Sequence, residues 1–287
     1  MSADFDFSLV LCTLNRRDEV AQFLASLKKQ DIRYRIQLIV VDQNTDDRIP
    51  EVLKPYQNDF EICLVKTQPG LSRARNLGLQ YALGNIIGFP DDDCTYPETL
   101  LTFLYRAFAE DPQRGGISTL VTDKAGNFSA GGRMYRTPCT ITKKNVWWCG
   151  VSPSVFVRRS ALGEICFDEE LGVGSGTVFG SGEETDFLLM LLEAGVRLDY
   201  MPQAVVYHPR FTGPWKRERG WLYGCGMGRV LRKHGASFFT VFYYALLQQV
   251  RAAQSFCTLK FRKMLFHLAM SYGRLYGYLA KRQREKT

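Results

Sequence analysis

Three features that would indicate other classes of protein are missing from the sequence. No stretch of 18 consecutive apolar residues occurs, so we predict no membrane-spanning helix. The segment 1–7 carries two aspartates and no cation, which argues against a signal peptide. The eight cysteines include no CxxC pair and no zinc-type spacing, and several lie inside apolar runs. Because such cysteines behave as small buried hydrophobes, the sequence predicts a reduced, cytoplasmic protein.

Acidic residues are scarce at the C-terminal end. Residues 216–287 contain 15 Lys and Arg but only two acids, Glu218 and Glu285, which gives this segment a charge of +13. Residues 1–215 carry −5, so the net charge of +8 hides a strong asymmetry. Such asymmetry indicates an anionic partner, either a nucleic acid or a membrane surface. We divide the chain at this point into an α/β domain, 1–215, and a basic, apolar C-terminal helical region, 216–287.

Apolar periodicity predicts alternating strands and helices before residue 110. Strands are predicted at 7–12, 37–42, 61–65, 86–90 and, later in the chain, 198–207. Helices are predicted between the first two strands and at 71–83, 97–109 and 183–194. This order predicts an α/β fold with a Rossmann-like, mostly parallel central sheet flanked by helices. Residues 110–150 have no clear pattern, and the glycines of 172–182 predict a loop.

Two further helices are predicted at 237–256 and 259–280. The second carries one narrow polar stripe at steps of three or four, formed by Lys260, Lys263, His267, Ser271, Arg274, Tyr278 and Lys281. Nearly all its other side chains are apolar. A helix with so broad an apolar face either packs against protein or lies in a bilayer interface, and the sequence leaves both open.

The most informative motif is the carboxylate triplet Asp91-Asp92-Asp93, directly after the apolar run 86–90. Adjacent carboxylates repel one another, and a divalent cation offsets that repulsion. Mg²⁺ binds through one or two carboxylates plus substrate phosphates. A strand's carboxyl end is also where open α/β sheets bind ligands. The alternative is a solvated acidic turn followed by a helix cap, since Thr95-x-x-Glu98 fits a capping box.

Several short motifs occur in a fixed order along the chain. They are Thr13-Leu14-Asn15-Arg16, Val40-Val41-Asp42, the segment from Gly70 to Gly78 (GLSRARNLG), Asp91-Asp92-Asp93, Gly182-Glu183-Glu184-Thr185-Asp186 and Tyr207-His208. This series resembles family-2 glycosyltransferases, which are inverting enzymes with the A-type nucleotide-sugar-binding fold. The resemblance covers about residues 5–210. It implies that 1–215 is the nucleotide-sugar-binding and catalytic domain.

The resemblance implies a nucleotide-diphosphate sugar as donor, with a UDP-sugar expected, and a divalent metal, Mg²⁺ or Mn²⁺, as cofactor. The implied metal ligands are Asp93, Asp91 and His208, although a single histidine after a strand also occurs for structural reasons. Asp42 is expected to accept a hydrogen bond from the nucleobase, and Asp91 and Asp92 to reach the ribose or the metal's waters. The implied donor-binding residues are Thr13, Asn15, Arg16, Asp42, Arg75, Asn76, Asp91 and Asp92.

Inversion requires a base that activates the acceptor hydroxyl, because an alcohol is a weak nucleophile near pH 7. We expect Glu184 in this role, with Glu183 as the alternative and Asp186 orienting a neighbour or the acceptor. Ser181-x-x-Glu184 is also a capping box, so these acids fit a helix start equally well on local grounds. Trp147 and Trp148 fit either an acceptor-sugar platform or the core.

The resulting expectation is an inverting glycosyltransferase acting on a saccharide or lipid-linked saccharide acceptor, in polysaccharide or glycolipid biosynthesis. We expect a peripheral location on anionic lipid at the inner face of the membrane, and no nucleic-acid partner. One alternative is a nucleotidyltransferase acting on sugar phosphates, against which the acidic motif at 183–186 argues. Another is a basic nucleic-acid-binding protein, although the acidic domain with its Asp triplet would repel phosphate without a bound metal.

Overall fold

The sequence folds around a single mixed sheet. The structure is a computed structural model that describes residues 5–30, 33–128 and 134–280. Its strands are β1 Phe7–Thr13, β2 Ile36–Asp42, β3 Glu61–Lys66, β4 Ile86–Gly88, β5 Gly116–Thr122, β6 Cys139–Thr140, β7 Val155–Arg158 and β8 Leu198–Tyr207. Its helices are α1 Asp18–Leu27, α2 Arg48–Leu53, α3 Leu71–Leu79, α4 Leu100–Glu110, α5 Arg159–Leu162, α6 Glu183–Glu193, α7 Arg217–Lys233, α8 Phe238–Cys257 and α9 Phe261–Leu279.

The strand order across the sheet is β3-β2-β1-β4-β7-β5-β8-β6. The first four strands run parallel, β7 runs antiparallel to both its neighbours, and β5 and β8 are again parallel. The short β6 pairs antiparallel with β8. The predicted α/β class with a Rossmann-like central sheet flanked by helices is therefore confirmed. The unpatterned segment 110–150 contains β5 and β6, which periodicity did not predict.

The register aligns the carboxyl ends of the parallel strands. Thr13 at the end of β1 pairs with Asp42 at the end of β2. Cys12 forms a bridge with Asp91, just beyond β4. On the other half of the sheet, Tyr207 at the end of β8 bridges Thr95. Thr95 therefore donates its N–H to the Tyr207 carbonyl (2.7 Å), and these bonds join the turn after the Asp triplet to β8.

The described chain divides into two compact units. The first comprises Met1–Pro69, Arg73–Phe167 and Phe187–Phe211, and it contains the whole sheet. The second comprises Gly70–Ser72, Asp168–Asp186 and Thr212–Thr287, and it contains α7, α8 and α9. This division gives the segment 168–186 to the helical unit. Our boundary between residues 215 and 216 stays a prediction.

Burial in the first unit follows from the apolar pattern. Every residue of β1 and β2 is buried, as expected for parallel strands covered on both faces. The residues that predicted α1, namely Val20, Phe23, Leu24 and Leu27, are all buried in one core cluster with the strands. The helices predicted at 71–83 and 97–109 are observed as the shorter α3 and the slightly later α4.

The second unit holds α7 and α9 together along a row of glycines. A Cβ at Gly220, Gly224 or Gly228 of α7 would overlap a backbone carbonyl oxygen of α9, at Phe266, Met270 and Arg274 respectively. A Cβ at Gly277 of α9 would in turn overlap the carbonyl oxygen of Cys225. The two backbones are thus in direct contact, as in helix pairs with small residues at every fourth position. We call these residues the glycine seam.

Helices α8 and α9 bury polar residues and expose apolar ones. His267, Ser271, Arg274 and Tyr278 of the predicted polar stripe are buried, while Lys281 lies outside the described residues. Four residues of this stripe therefore lie in the interior, whereas Lys260 is exposed. The buried residues find partners inside: the Gln248 amide donates to Nδ1 of His267 (2.8 Å) and accepts from Arg274 (3.1 Å). No helix of the described residues is long and apolar enough to cross a membrane.

Candidate functional site

The candidate site of the first unit lies where the carboxyl ends of β1, β2 and β4 meet. Thr13 ends β1, Asp42 ends β2, and the Asp triplet follows β4. The Thr13 hydroxyl donates to Oδ2 of Asp92 (2.8 Å), which ties the first motif to the triplet. His208 follows β8 and donates its backbone N–H to the carbonyl of Thr122 (2.9 Å). Strands distant in sequence therefore bring these side chains to one edge.

Asp91, Asp93 and His208 form a group suited to a metal ion. One ligand atom from each lies within 4.8 Å of the others. The Nε2 atom of His208 is 3.2 Å from Oδ1 of Asp93 and 3.9 Å from Oδ2 of Asp91. The other ring nitrogen, Nδ1, is 2.7 Å from the Pro209 carbonyl, which can only accept, so Nδ1 carries a proton. This fixes the tautomer that leaves Nε2 able to bind a metal. Two carboxylates and one imidazole fit Mn²⁺ or Mg²⁺.

Positive groups surround these carboxylates in the described structure. Arg16 lies 3.3 Å from Oδ1 of Asp92 and 2.5 Å from Oδ2 of Asp93. Burial raises the pKa of Asp93, but the hydrogen bonds from His208 and Arg16 outweigh it and hold the pKa at about 2. Burial raises the pKa of Asp92 to about 6, against the opposing effect of Arg16. The pKa of His208 is raised, because Asp93 and Asp91 outweigh the effect of burial. The pocket thus favours cations.

Asp42 presents a buried carboxylate oxygen without a hydrogen-bond partner. Its side chain is fully buried, and Oδ1 accepts from the backbone N–H and the side-chain amide of Asn44, at 2.9 and 2.7 Å. Within the part of the chain that the structure describes, Oδ2 has no hydrogen-bond partner. The Nζ atom of Lys66 lies 3.9 Å from Oδ2 of Asp42. A buried acceptor left unpaired is costly, so a ligand that donates to Oδ2 would gain strongly from that bond.

Arg75 is the largest fully buried side chain, and its guanidinium touches the triplet. Nη2 lies 3.3 Å from Oδ1 of Asp91 and also donates to the hydroxyl of Ser152. Its guanidinium carbon stands 5.2 Å from the ring centroid of Phe167. The sequence predicted Arg75 near the Asp cluster but did not indicate Ser152. Ser152 lies in the short turn before β7, and no motif marks it.

The two asparagines predicted to bind the donor have structural contacts. Asn15 adopts a positive φ of 59°, and its N–H donates to Oδ1 of Asn44 (2.6 Å). Asn76 pairs with the backbone of Phe167, accepting from its N–H (2.8 Å) and donating to its carbonyl (2.9 Å). These contacts shape the loops around the site. A direct role of either residue in donor binding stays a prediction.

The acidic motif begins α6 in the second unit. Glu183 is buried against the backbone of Gly172, where a Cβ would lie 3.0 Å from its carboxylate. Glu184 is partly exposed, and Asp186 is fully buried. The Ser181 hydroxyl donates to the carbonyl of Tyr223 (3.1 Å), which connects the turn before α6 to α7. The catalytic assignments stay predictions.

Trp147 and Trp148 lie in a 3₁₀ turn in the first unit. Trp148 is exposed, and its ring stacks on Tyr135 with the ring planes 4° apart. Whether the pair serves an acceptor sugar stays a prediction.

The sheet, its strand-end acidic cluster and the nearby buried arginine are those of a glycosyltransferase with the A-type fold. Residues 8–166 match the family described as Glycosyl transferase family 2. Because this match covers more than half of the chain, the protein belongs to that family, as the motif series predicted.

Among curated relatives, the chain is 28% identical over 240 residues to the succinoglycan biosynthesis protein ExoM of Rhizobium meliloti. That alignment covers 78% of this chain and 75% of ExoM. The chain spans only 20% of the length of one other relative and 46 to 50% of several more. Membership of the family excludes the nucleotidyltransferase and the nucleic-acid-binding protein as leading interpretations.

Two solved structures share the fold. The mannosyltransferase PcManGT from Pyrobaculum calidifontis, in complex with GDP-Man and Mn²⁺, aligns with a TM-score of 0.64 at 16% identity, covering 95% of this chain and 87% of that one. S. aureus TarS 1-349, in complex with UDP-GlcNAc, aligns with a TM-score of 0.61 at 16% identity, covering 94% and 91%. At this identity the likeness establishes the A-type fold.

Proposed function

We propose that the protein is a metal-dependent inverting glycosyltransferase. It moves a sugar from a nucleotide-diphosphate sugar, with a UDP-sugar as the expected donor, to a hydroxyl of a saccharide or lipid-linked saccharide. The observation that carries the proposal is the group of Asp91, Asp93 and His208 at the strand-end edge. The relative ExoM is named for succinoglycan biosynthesis, which supports a place in polysaccharide or glycolipid assembly.

The donor's diphosphate would lie beside the Asp triplet. Asp93, Asp91 and His208 are the residues that would hold the divalent ion, which supplies Lewis-acid stabilisation of the departing diphosphate. Arg75 adds a fixed positive charge next to Asp91. Thr13 holds Asp92 by a hydrogen bond, so that the carboxylate keeps one orientation toward the ribose. The Mn²⁺ named in the PcManGT complex supports this reading.

The nucleobase would bind at Asp42. Its unpaired Oδ2 can accept one hydrogen bond, which the N3–H of uracil or the N1–H of guanine would donate. The UDP-GlcNAc bound by TarS favours uracil, and the GDP-Man bound by PcManGT makes guanine the competing base. Lys66, at the end of the neighbouring β3, stands near enough to Asp42 to donate to a base carbonyl after a small side-chain movement.

Glu184 would act as the general base toward the acceptor hydroxyl. It is partly exposed at the start of α6, whereas Glu183 is buried on the backbone of Gly172. A partly exposed residue is more accessible to a bound acceptor than a buried one. This difference favours Glu184 over Glu183.

We also propose that α8 and α9 dock on an anionic lipid surface, at the cytoplasmic face of a membrane. Their outward apolar side chains include Phe239, 83% exposed, and Leu279, 68% exposed. Phe239, Phe242, Leu246, Tyr272 and Tyr276 form what we call the outward apolar face. The +13 charge of residues 216–287 matches anionic headgroups. Each basic residue near such a surface contributes about 1 kcal/mol.

A thermal-shift screen of the full chain tests the catalytic proposal. UDP, GDP, ADP and CDP are added with Mn²⁺, with Mg²⁺ or with EDTA. A nucleotide at 100 times its Kd stabilises the folded protein by about 2.7 kcal/mol. We expect the largest shift with UDP and Mn²⁺ and little shift in EDTA. Equal shifts with and without metal would contradict the metal site, and the largest shift with GDP would replace uracil by guanine.

A further inference from the structure

The first turn of α6 contains a carboxylate that is completely removed from solvent. Asp186 lies two positions after Glu184, and both of its oxygens accept hydrogen bonds from α7's C-terminal end. His234 Nε2 is 2.9 Å from Oδ1, and Lys233 Nζ is 2.8 Å from Oδ2. A buried charge is tolerated only when it is paired and hydrogen-bonded. These two contacts are therefore required to keep the carboxylate of Asp186 buried at this position.

The same end of α7 also binds the start of the glycine-containing segment that precedes α6. Lys233 reaches Oδ2 of Asp168 (2.8 Å), and Arg229, one turn earlier, reaches Oε2 of Glu170 (3.2 Å). Asp186 and Asp168 outweigh the effect of burial and raise the pKa of Lys233, so the cation keeps its charge at neutral pH. One lysine therefore joins both ends of the segment 168–186.

Backbone contacts reinforce this arrangement. A Cβ on Gly226 of α7 would overlap the carbonyl oxygen of Ser181, so the turn before α6 rests directly on the helix backbone. Gly182 has a φ of +91°, which favours glycine, and a Cβ there would lie 3.0 Å from Val230. Residues 181–186 thus take their position from α7 by side-chain and backbone contacts together.

We propose that Lys233 and His234 are positioning residues for catalysis: they hold Asp186 and thereby fix where Glu184 stands at the start of α6. This inference rests on the proposed role of Glu184 as the base. Neither residue needs to touch the substrate. A base displaced by about 1 Å can lose about 10²-fold in rate, so a contact made away from the reacting atoms can still govern the chemical step.

The test uses Lys233→Met and His234→Phe in the full chain, with Lys233→Arg and His234→Gln as conservative variants. We expect kcat to fall by about 10²-fold in Lys233→Met and in His234→Phe. The KM for the donor should be unchanged, because the donor site is intact. The conservative variants should recover most of kcat, since each still offers a donor to Asp186. Arg232→Met is the matched control: it removes one exposed charge from the same turn of α7, and wild-type kcat is expected.

A double-mutant cycle separates positioning from general destabilisation. If Lys233 acts through Glu184, adding Lys233→Met to Glu184→Gln should cost little further activity. An undiminished additional loss would overturn the inference, as would wild-type kcat in both Lys233→Met and His234→Phe. If Lys233→Met does not fold, the His234→Phe and His234→Gln pair decides by the same criteria. Full activity of Glu184→Gln would contradict the proposed base and would overturn this inference together with it.

Discussion

At the scale of single residues, His208 is the side chain at which a proton and the proposed metal ion would compete. Its Nδ1 is held by the Pro209 carbonyl, so Nε2 is the ring atom that faces Asp93. Arg16 and His208 both contact the carboxylate of Asp93. A divalent ion would take the place of the proton on Nε2, because only the neutral imidazole nitrogen has a lone pair to donate.

Asp93→Asn should abolish the stabilisation that Mn²⁺ confers on nucleotide binding, since the carboxylate shared by His208 and Arg16 is lost. Transfer activity should fall with it. Thermal shift with UDP, with and without Mn²⁺, measures the first effect, and release of UDP from a UDP-sugar measures the second. Asp59→Asn, an exposed carboxylate paired with Lys28, is the control and should behave as wild type. A variant Asp93→Asn that keeps metal-dependent nucleotide binding would remove Asp93 from the ligand set.

Glu184→Gln should lose about 10²- to 10⁴-fold in kcat, the usual contribution of a positioned general base. Metal-dependent UDP binding should be retained, because the glutamine preserves size and the first turn of α6. Glu183→Gln is the comparison, and a smaller loss is expected there. Steady-state kinetics and thermal shift on both variants give the answer. An active Glu184→Gln beside an inactive Glu183→Gln would move the base by one residue.

At the scale of elements, the glycine seam sets the distance between α7 and α9. Gly277→Ala should destabilise the protein by about 1–3 kcal/mol, the usual cost of forcing extra atoms into a packed contact. Helix propensity alone predicts the opposite sign, because alanine is favoured over glycine by about 1 kcal/mol in a helix. Urea unfolding measures the difference. Gln249→Ala, at an exposed position of α8, is the control and should change stability little. A stabilised Gly277→Ala would mean that the two backbones are not in contact.

Several elements follow directly from the sequence, and α7 shows why others do not. The strands β1 and β2 are continuous apolar runs, and α1 has a single apolar face, so local pattern suffices. In α7 the glycines lower helix propensity, and no apolar stripe is visible. Helix α7 forms because its glycines allow the backbone of α9 to pack directly against it. This tertiary contact leaves no pattern in the local sequence. Gly273 and Gly277 of α9 likewise lie directly against backbone carbonyls of α7.

The residues of the candidate site also divide into those that could be predicted from the sequence and those that could not. The Asp triplet could be placed at a strand end from the apolar run before it, and His208 was joined to Asp91 and Asp93 by the resemblance of the motif series to the family. Ser152 could not, since a serine in a turn before β7 has no motif to mark it. Lys233 and His234 could not either, because their contacts with Asp186 span 47 and 48 residues and depend on α7, whose bounds within the helical region 216–287 were not predicted. The polar stripe of α9 was visible in the sequence, but its burial was not, because it depends on partners such as Gln248 in α8.

At the scale of the whole molecule, the outward apolar face predicts behaviour that the first unit alone would not give. The protein should co-sediment with vesicles containing phosphatidylserine. High salt should weaken this binding without eliminating it, because screening acts on the charges and leaves the apolar contribution, about 1.5–3 kcal/mol for a buried Phe, in place. The double variant Phe239→Asp and Phe242→Asp should stay in the supernatant. Tyr81→Asp, at an exposed aromatic of the first unit, is the control and should still bind.

Two outcomes would contradict the lipid proposal. The first is wild-type protein that stays in the supernatant with these vesicles at low salt. A wild-type dimer in sedimentation equilibrium that becomes monomeric in the double variant, without vesicle binding, would assign the face to a second copy of the chain.

The polar interior of α8 and α9 has one more consequence. Gln248, His267 and Arg274 bond to one another, Ser271 donates to the carbonyl of Ala245 (2.9 Å), and Tyr278 donates to that of Ala236 (2.9 Å). None of these bonds relies on the medium outside the helices. Under the lipid-docking proposal, the helices would therefore meet the surface with these bonds already made, and docking would need no repacking of these residues.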